Sequence, residues 1–314
     1  MQALTVRIRP LSAFGTPLRG DTLFGQLCWA LRRAEGEHVL DEALCGYTEG
    51  QPFLVVSDAF PAGHYPLPPL PLSRFDVPAD ADRKRLKRRR WIATEDIGLP
   101  VEQWLARARS DEDICKGGIW NTAGQPHNSI HRQTGTTGSG MFAPYLSETL
   151  WPGEDLRLDI HLLVDEGRLE PRRLIDLLAD VGQTGYGRDA SIGLGKFAVE
   201  EQLDAPWPAH ADANAWLTLA PCAPQGLAWR DDACFYRPFT RFGRHGDLAV
   251  QTGKPFKTPV LLADSGALLT PEGLLDQAWT GQGLGGDGRL SRSIEATVHQ
   301  GYAPVLAIRL EEET

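Results

Sequence analysis

Residues 182–197 read GQTGYGRDASIGLGKF, with five glycines in sixteen positions and with Arg188 and Lys196 among mostly small residues. Glycine admits positive φ and lets a backbone come close to another group, at an entropic cost. Two readings fit: a long loop held by turn chemistry, or bare amides arranged to hold phosphates. The flanks decide the fold. Upstream, residues 155–164 (DLRLDIHLLV) alternate as a strand. Pro171 then opens an amphipathic helix through Leu174, Ile175, Leu177, Leu178 and Val181, which Gly182 stops. Downstream, a strand is expected over 196–203.

The N-terminal region repeats this plan. Residues 3–9 (ALTVRIR) place Leu4, Val6 and Ile8 on one face and Thr5, Arg7 and Arg9 on the other. A loop follows over 10–20, then Asp21 as N-cap of a helix over about 22–34, then a strand over 53–60. The β–α–β order suggests a ferredoxin-like unit. Its recurrence predicts an α+β chain of two related domains, 1–150 and 151–314. The proline-rich stretch 61–78 reads as a stiff surface connection. Residues 110–142 are polar and rich in glycine and threonine, the signature of a functional insertion. The C-terminal third is β-rich, at 216–220, 259–263 and 303–310, with a second glycine-rich segment at 281–288.

A length of 314 residues accommodates two cores, and 42% hydrophobic with 23% charged residues is ordinary for a globular protein. No apolar run suggests a membrane span and no signal peptide opens the chain, so the cytoplasm is expected. The five cysteines form no C-x-x-C pair, which argues for reduced thiols rather than a disulfide framework or a zinc site. Net charge is −9, yet residues 83–90 (RKRLKRRR) hold seven of the 32 Lys and Arg residues. Such a distribution discourages indiscriminate coating of RNA and leaves local grooves positive. A solvated helical face is the plainer account of the basic run.

The glycine stretch is not a nucleotide-hydrolysis motif, because Arg188-Asp189 stands where Lys and Ser/Thr belong. His127 and His131, four apart, lack the neighbouring glutamate of a helical zinc site, so no metal and no cofactor are expected. A histidine base attacking RNA through its 2′-hydroxyl is chemically open. So are backbone hydrogen bonds inside a long loop. A third reading makes Asn128, Ser129, Arg132 and Thr134 donors to single-stranded RNA. Asp21, Asp180 and Asp189 form no convincing acid–base pair.

Four segments carry a resemblance: LSAFGTPLRGDTLFGQLCWAL (11–31), PLPPLPLSRF with the basic run and RWIATEDI (66–97), HNSIHRQTGTTGSGMF (127–142), and GQTGYGRDASIGLGKF (182–197). In order and content they resemble the fourth Csm subunit family of type III-A CRISPR effector complexes, RAMP-superfamily proteins that cap the 5′ end of the crRNA. KTPVLLADSGALL (257–269) matches only loosely. The resemblance implies two ferredoxin-like, RRM-related domains, with an inserted β-hairpin thumb wedged between guide and target RNA. The thumb, with the basic segment, is expected within about 83–142. It implies a subunit that is not itself a nuclease. Its expected partners are the crRNA 5′ tag, the guide–target duplex, the large polymerase/cyclase-type subunit and the backbone RAMP subunit.

On that resemblance RNA contacts are expected at Phe14, Thr16, Arg19 and Gly20, and at His127, Asn128, Ser129, Ile130, Arg132 and Thr134. They are also expected at Gly185, Tyr186, Gly187, Arg188, Ala190, Ser191, Gly193, Gly195 and Lys196. Gly185, Gly187 and Ser191 would cradle phosphates, with Arg188 and Lys196 as clamps and Arg19 and Thr16 assisting. A RAMP endoribonuclease using His127 or His131, and a capping protein making protein contacts only, are the alternatives.

Overall fold

The computed structural model describes residues 1–78, 80–204, 206–246, 255–273 and 276–311. Strands β1 (Gln2–Pro10) and β2 (Leu54–Pro61) flank helix α1 (Gly20–Glu35). A hairpin follows, β3 (Trp120–His127) and β4 (Tyr145–Pro152). Next come β5 (Leu158–Val164), helix α2 (Pro171–Thr184) and β6 (Phe197–Leu203). The last third supplies β7 (Ala215–Thr218), β8 (Leu268–Leu269), β9 (Trp279–Gly285) and β10 (Val298–Ile308).

The two β–α–β-like halves do not form separate sheets. β1, β2, β5 and β6 build one antiparallel sheet in the order β2-β5-β1-β6, with Leu4 opposite Leu162 and Val6 opposite Ile160. The expected boundary at 150/151 therefore divides a single four-stranded sheet. The physical reason is interleaving: β5 lies between β2 and β1, and β1 between β5 and β6, so neither half has its own two strands side by side and each needs the other to pair its backbone. Leu23, Phe24, Leu27 and Leu31 of α1 and Leu174, Leu177, Leu178 and Val181 of α2 are buried in the same core as this sheet.

The C-terminal strands form a second antiparallel sheet, β8-β7-β10-β9. Among the described residues no α-helix follows Thr184, so the second half lacks the helices of a ferredoxin-like unit of its own. Instead, one face of this sheet shares a core with the 65–105 segment, where Ile92, Val101 and Trp104 pack with Leu217 and Leu306. The basic run accordingly becomes a short helix, Arg83–Leu86, capped by Asp82, and a strand, Arg89–Ala93. The two sheets meet at β2. Gln300 pairs with both the N–H and the C=O of Val56 (2.9 and 2.8 Å), and the Asp58 amide donates to the Leu219 carbonyl at 2.8 Å. Backbone groups of an edge strand are thus satisfied without exposure. The glycines at 281–288 belong to β9 and its turn, not to a ligand loop. A Cβ at Gly283 would strike the Tyr47 backbone.

Among the described residues, no helix is long and apolar enough to cross a membrane, and all five cysteines are free. His161, in β5, lies under Tyr65 with ring centroids 5.0 Å apart and bonds Thr5 Oγ1 at 3.0 Å. Burial pushes its imidazole down from 6.5 to about 4. The unfolded chain therefore takes up the proton first, and the stability held above pH ~6.5 is lost as pH falls toward ~4. In urea unfolding the stability of the wild type relative to His161→Gln should fall by about 2 kcal/mol between pH 7.5 and pH 5.

Candidate nucleic-acid interface

The glycine stretch lies between α2 and β6 and folds over the loop that follows β1. α2 runs through Gly182, where a Cβ would meet the Phe197 carbonyl, and is capped at Gly185 with φ 101°. Tyr186 then turns inward and is fully buried. Its hydroxyl accepts from the Arg19 amide at 3.0 Å and donates to the Pro17 carbonyl at 2.8 Å. The Tyr186 amide donates to the Gly195 carbonyl at 2.9 Å, and the Gly195 amide donates to the Ala13 carbonyl at 2.7 Å. Ser12 Oγ accepts from the Lys196 amide at 2.9 Å. Two loops distant in sequence are thereby stitched into one.

This stitching corrects several expected contacts. Tyr186 holds the loops together. Gly185 donates its amide to Val181, and Gly195 is a close-approach position against Tyr186, so neither offers a free amide. Phe14 is 1% exposed and meets Trp120 edge-on at 5.4 Å. Arg19 is paired with Asp58 (2.9 Å) and Asp264 (2.7 Å). Gly20 is buried, its amide bonded to Asp58 Oδ1 at 2.8 Å. Asp21 is no N-cap either: it sits in the first turn of α1, with the Arg241 guanidinium at 2.6 and 2.7 Å.

What remains on the surface is a compact rim. The amides of Gly187, Ala190 and Ser191 donate to no protein acceptor among the described residues. Asp189 takes a left-handed conformation (φ 63°) that turns the chain into the short Ala190–Ile192 helical turn. Thr16 Oγ1 accepts from the Arg188 amide at 3.4 Å, and Gly193 faces open space. Ser191 and Lys196 are exposed, and Lys196 has no ion-pair partner among the described residues. Arg188 reaches across to the hairpin, donating to the Glu148 carbonyl, while its Nε lies 3.3 Å from Asp189. It fixes the hairpin's base to the loop as well as adding charge. Bare donors beside an exposed cation are suited to phosphate oxygens.

The hairpin base belongs to the same locus. The Phe14 amide and carbonyl pair with Leu150 at 2.8 Å each. The insertion expected within 83–142 is therefore this hairpin at 120–152, and residues 83–110 belong to the unit that covers the C-terminal sheet. Its tip lies apart from the loop. Arg188 meets the hairpin at Glu148, opposite Gly124, and the extended strand runs roughly 10 Å further to His127, so Asn128, Ser129, Ile130, Arg132 and Thr134 form an exposed group beyond the glycine rim. His127 stacks on Tyr145 (5.3 Å), and His131 meets Phe142 edge-on (4.7 Å) and Thr134 at 3.3 Å. Neither imidazole bonds a carboxylate or a second histidine among the described residues, and no metal-binding cluster is found among them. Exposed apolar residues went unnoticed in the sequence: Leu11 and Ile192 at the rim, Tyr145, Leu146 and Trp151 on the hairpin. Their only signal is an apolar side chain lacking periodic partners.

No curated protein matches the sequence. Solved structures match it along nearly its whole length. One is the crystal structure of a Csm1–Csm4 cassette in complex with pppApA, at 14% identity and a TM-score of 0.61, covering 99% of this chain and 100% of that one. The same cassette in complex with cA4 gives the same values. The crystal structure of a Csm3–Csm4 subcomplex in the type III-A CRISPR–Cas interference complex matches at 12% identity and a TM-score of 0.59, covering 98% and 100%. At such identities the likeness is one of fold. A family model described as the RAMP superfamily matches residues 10–198, a span that takes in α1, β2, the hairpin, β5, α2 and the glycine loop. This chain belongs to the RAMP superfamily.

Proposed function

We propose that this chain is a non-catalytic subunit of a type III-A CRISPR effector complex that holds the 5′ tag of the guide RNA in antiviral defence. The tag's phosphates lie on the rim of Thr16, Gly187, Arg188, Ala190, Ser191, Gly193 and Lys196. The observation that carries this reading is the set of amides at Gly187, Ala190 and Ser191 that donate to no acceptor among the described residues, beside an exposed Lys196 with no ion-pair partner among them. The hairpin acts as a thumb, its tip residues Asn128, Ser129, Ile130, Arg132 and Thr134 reaching the guide–target duplex. Likeness of fold to chains crystallised as Csm1–Csm4 and Csm3–Csm4 assemblies supports a bridging place between a polymerase/cyclase-type subunit and a backbone RAMP subunit. The complex works in the cytoplasm. Endoribonuclease action gains no support from His127 or His131, which have aromatic rather than acid–base neighbours.

Titrating guide RNA onto the full chain at several salt concentrations tests the rim. Lys196→Ala should weaken binding and lower the slope of log K against log salt by about 0.7, the contribution of one single-strand phosphate contact. An unchanged slope would remove Lys196 from the interface.

A further inference from the structure

The strands Pro238–Arg241 and Val260–Ala263 pair antiparallel, and the ribbon continues to a bridge between Arg244 and Phe256. Its inner side is bolted to α1. Phe239 lies between the guanidinium groups of Arg19 (5.2 Å) and Arg241 (4.8 Å), Arg241 grips Asp21, and Gly246 abuts Trp29. His245 Nε2 and Ser291 Oγ are bonded at 2.8 Å. The alternation that turns Phe239, Arg241 and His245 inward, half-burying the first two and burying the third, turns Phe242 and Arg244 outward. Phe242 is 74% exposed, Phe256 72% and Leu261 67%, values far from those of a core face. The Arg244 guanidinium rests 5.9 Å from the Phe256 ring centroid.

Charge identifies the occupant. The described ribbon residues 236–246 and 255–263 contain no Asp or Glu; Arg241 is neutralised by Asp21 and Lys257 is partly buried, which leaves Arg237 and Arg244 as its exposed cations, in a chain of net charge −9. Exposed rings beside an arginine that has no carboxylate partner among the described residues form the kind of surface on which single-stranded nucleic acid stacks its bases and threads its backbone. We infer that the outer face of this ribbon is a second single-stranded RNA contact, with bases on Phe242 and Phe256 and phosphates beside Arg244. The surface is separate from the glycine rim and stands independently of the tag-binding reading. It lies close to the rim, because Arg19, which bonds Tyr186 through its amide, also bonds Asp264 at the ribbon's foot.

Fluorescence anisotropy of the full chain with a labelled, unstructured uridine-rich RNA decides the matter. Phe242→Ala/Phe256→Ala should weaken binding by at least about 10-fold, since each stacked base contributes substantially. The Tyr/Tyr pair should bind like the wild type. The Leu/Leu pair keeps apolar area without a π face and should weaken binding as the Ala pair does. Both residues are exposed, so unchanged melting of each variant separates binding from folding. Unchanged RNA affinity in the Ala pair overturns the inference, as does wild-type affinity in the Leu pair. RNA affinity kept while co-purification with the polymerase/cyclase-type subunit is lost would make the ribbon a protein-docking surface and overturn it too. Lys196→Ala run in parallel keeps the two surfaces apart: a loss there alone sinks the ribbon and spares the rim, and a loss in the Ala pair alone does the reverse.

Discussion

Asp21→Ala lowers the stability of the folded chain by about 3–5 kcal/mol, the range for breaking a buried ion pair by removing one partner. The Asp21 side chain is 0% exposed, takes two bonds from Arg241 at 2.6 and 2.7 Å, and has His299 Nε2 at 3.3 Å. Burial alone would push this carboxyl up, but His299 and the Arg241 fork outweigh it and hold the carboxyl well below the usual carboxylate range. With a depressed folded-state value, the contribution is complete above about pH 4 and is lost only as pH falls through that value. Truncation at neutral pH leaves the half-buried Arg241 charge without its carboxylate. It also frees the foot of the 238–263 ribbon from α1. Urea unfolding of Asp21→Ala, Arg241→Met and the double variant checks this: the double should lose clearly less than the sum of the singles. A loss below about 1 kcal/mol in Asp21→Ala would place the pair outside the structure's essential supports.

Gly195→Ala costs about 2–3 kcal/mol and with it the shape of the rim. Gly195 holds φ at +73°, and an added Cβ would overlap the Tyr186 carbonyl and lie 2.6 Å from the Tyr186 nitrogen. Both neighbours are backbone, so nothing yields without moving the Tyr186–Gly195 hydrogen bond that closes the loop. Gly193→Ala is the matched control. Its φ is +98°, but open space surrounds it, so only the conformational penalty of about 1–2 kcal/mol applies. Chemical denaturation should rank Gly195→Ala below Gly193→Ala, and guide RNA affinity should fall more in the former. Equal losses would mean that close packing against Tyr186 is unimportant.

Much of the architecture was legible because each element advertises its own period. Leu4, Val6 and Ile8 mark a strand face, and Leu174, Leu177, Leu178 and Val181 a helix face, and both are where the pattern puts them. What local pattern does not encode is partnership. Nothing near Leu4 announces Leu162, so two halves that look like two domains close into one sheet. The same blindness made Arg19 look like a free cation. Its partners Asp58 and Asp264 lie 39 and 245 residues away. Phe14 and Tyr186, expected as contacts from the resemblance, are buried, where they fasten the loops to each other and to the hairpin. The hairpin's limits were obscured because Asn121 to Pro126 are exposed on both faces, which erases the period-two signal. The rim itself was half visible. Its glycines were, and the division between amides already bonded and amides left open was not.

The most direct measurement replaces successive uridines of the guide's 5′ tag with 4-thiouridine in the assembled complex, crosslinks it, and maps the attached peptide by mass spectrometry. The account predicts attachment within Gly187–Lys196, with the strongest yield near Ser191. Tag crosslinks confined to other peptides of this chain, or to its partners alone, would contradict it.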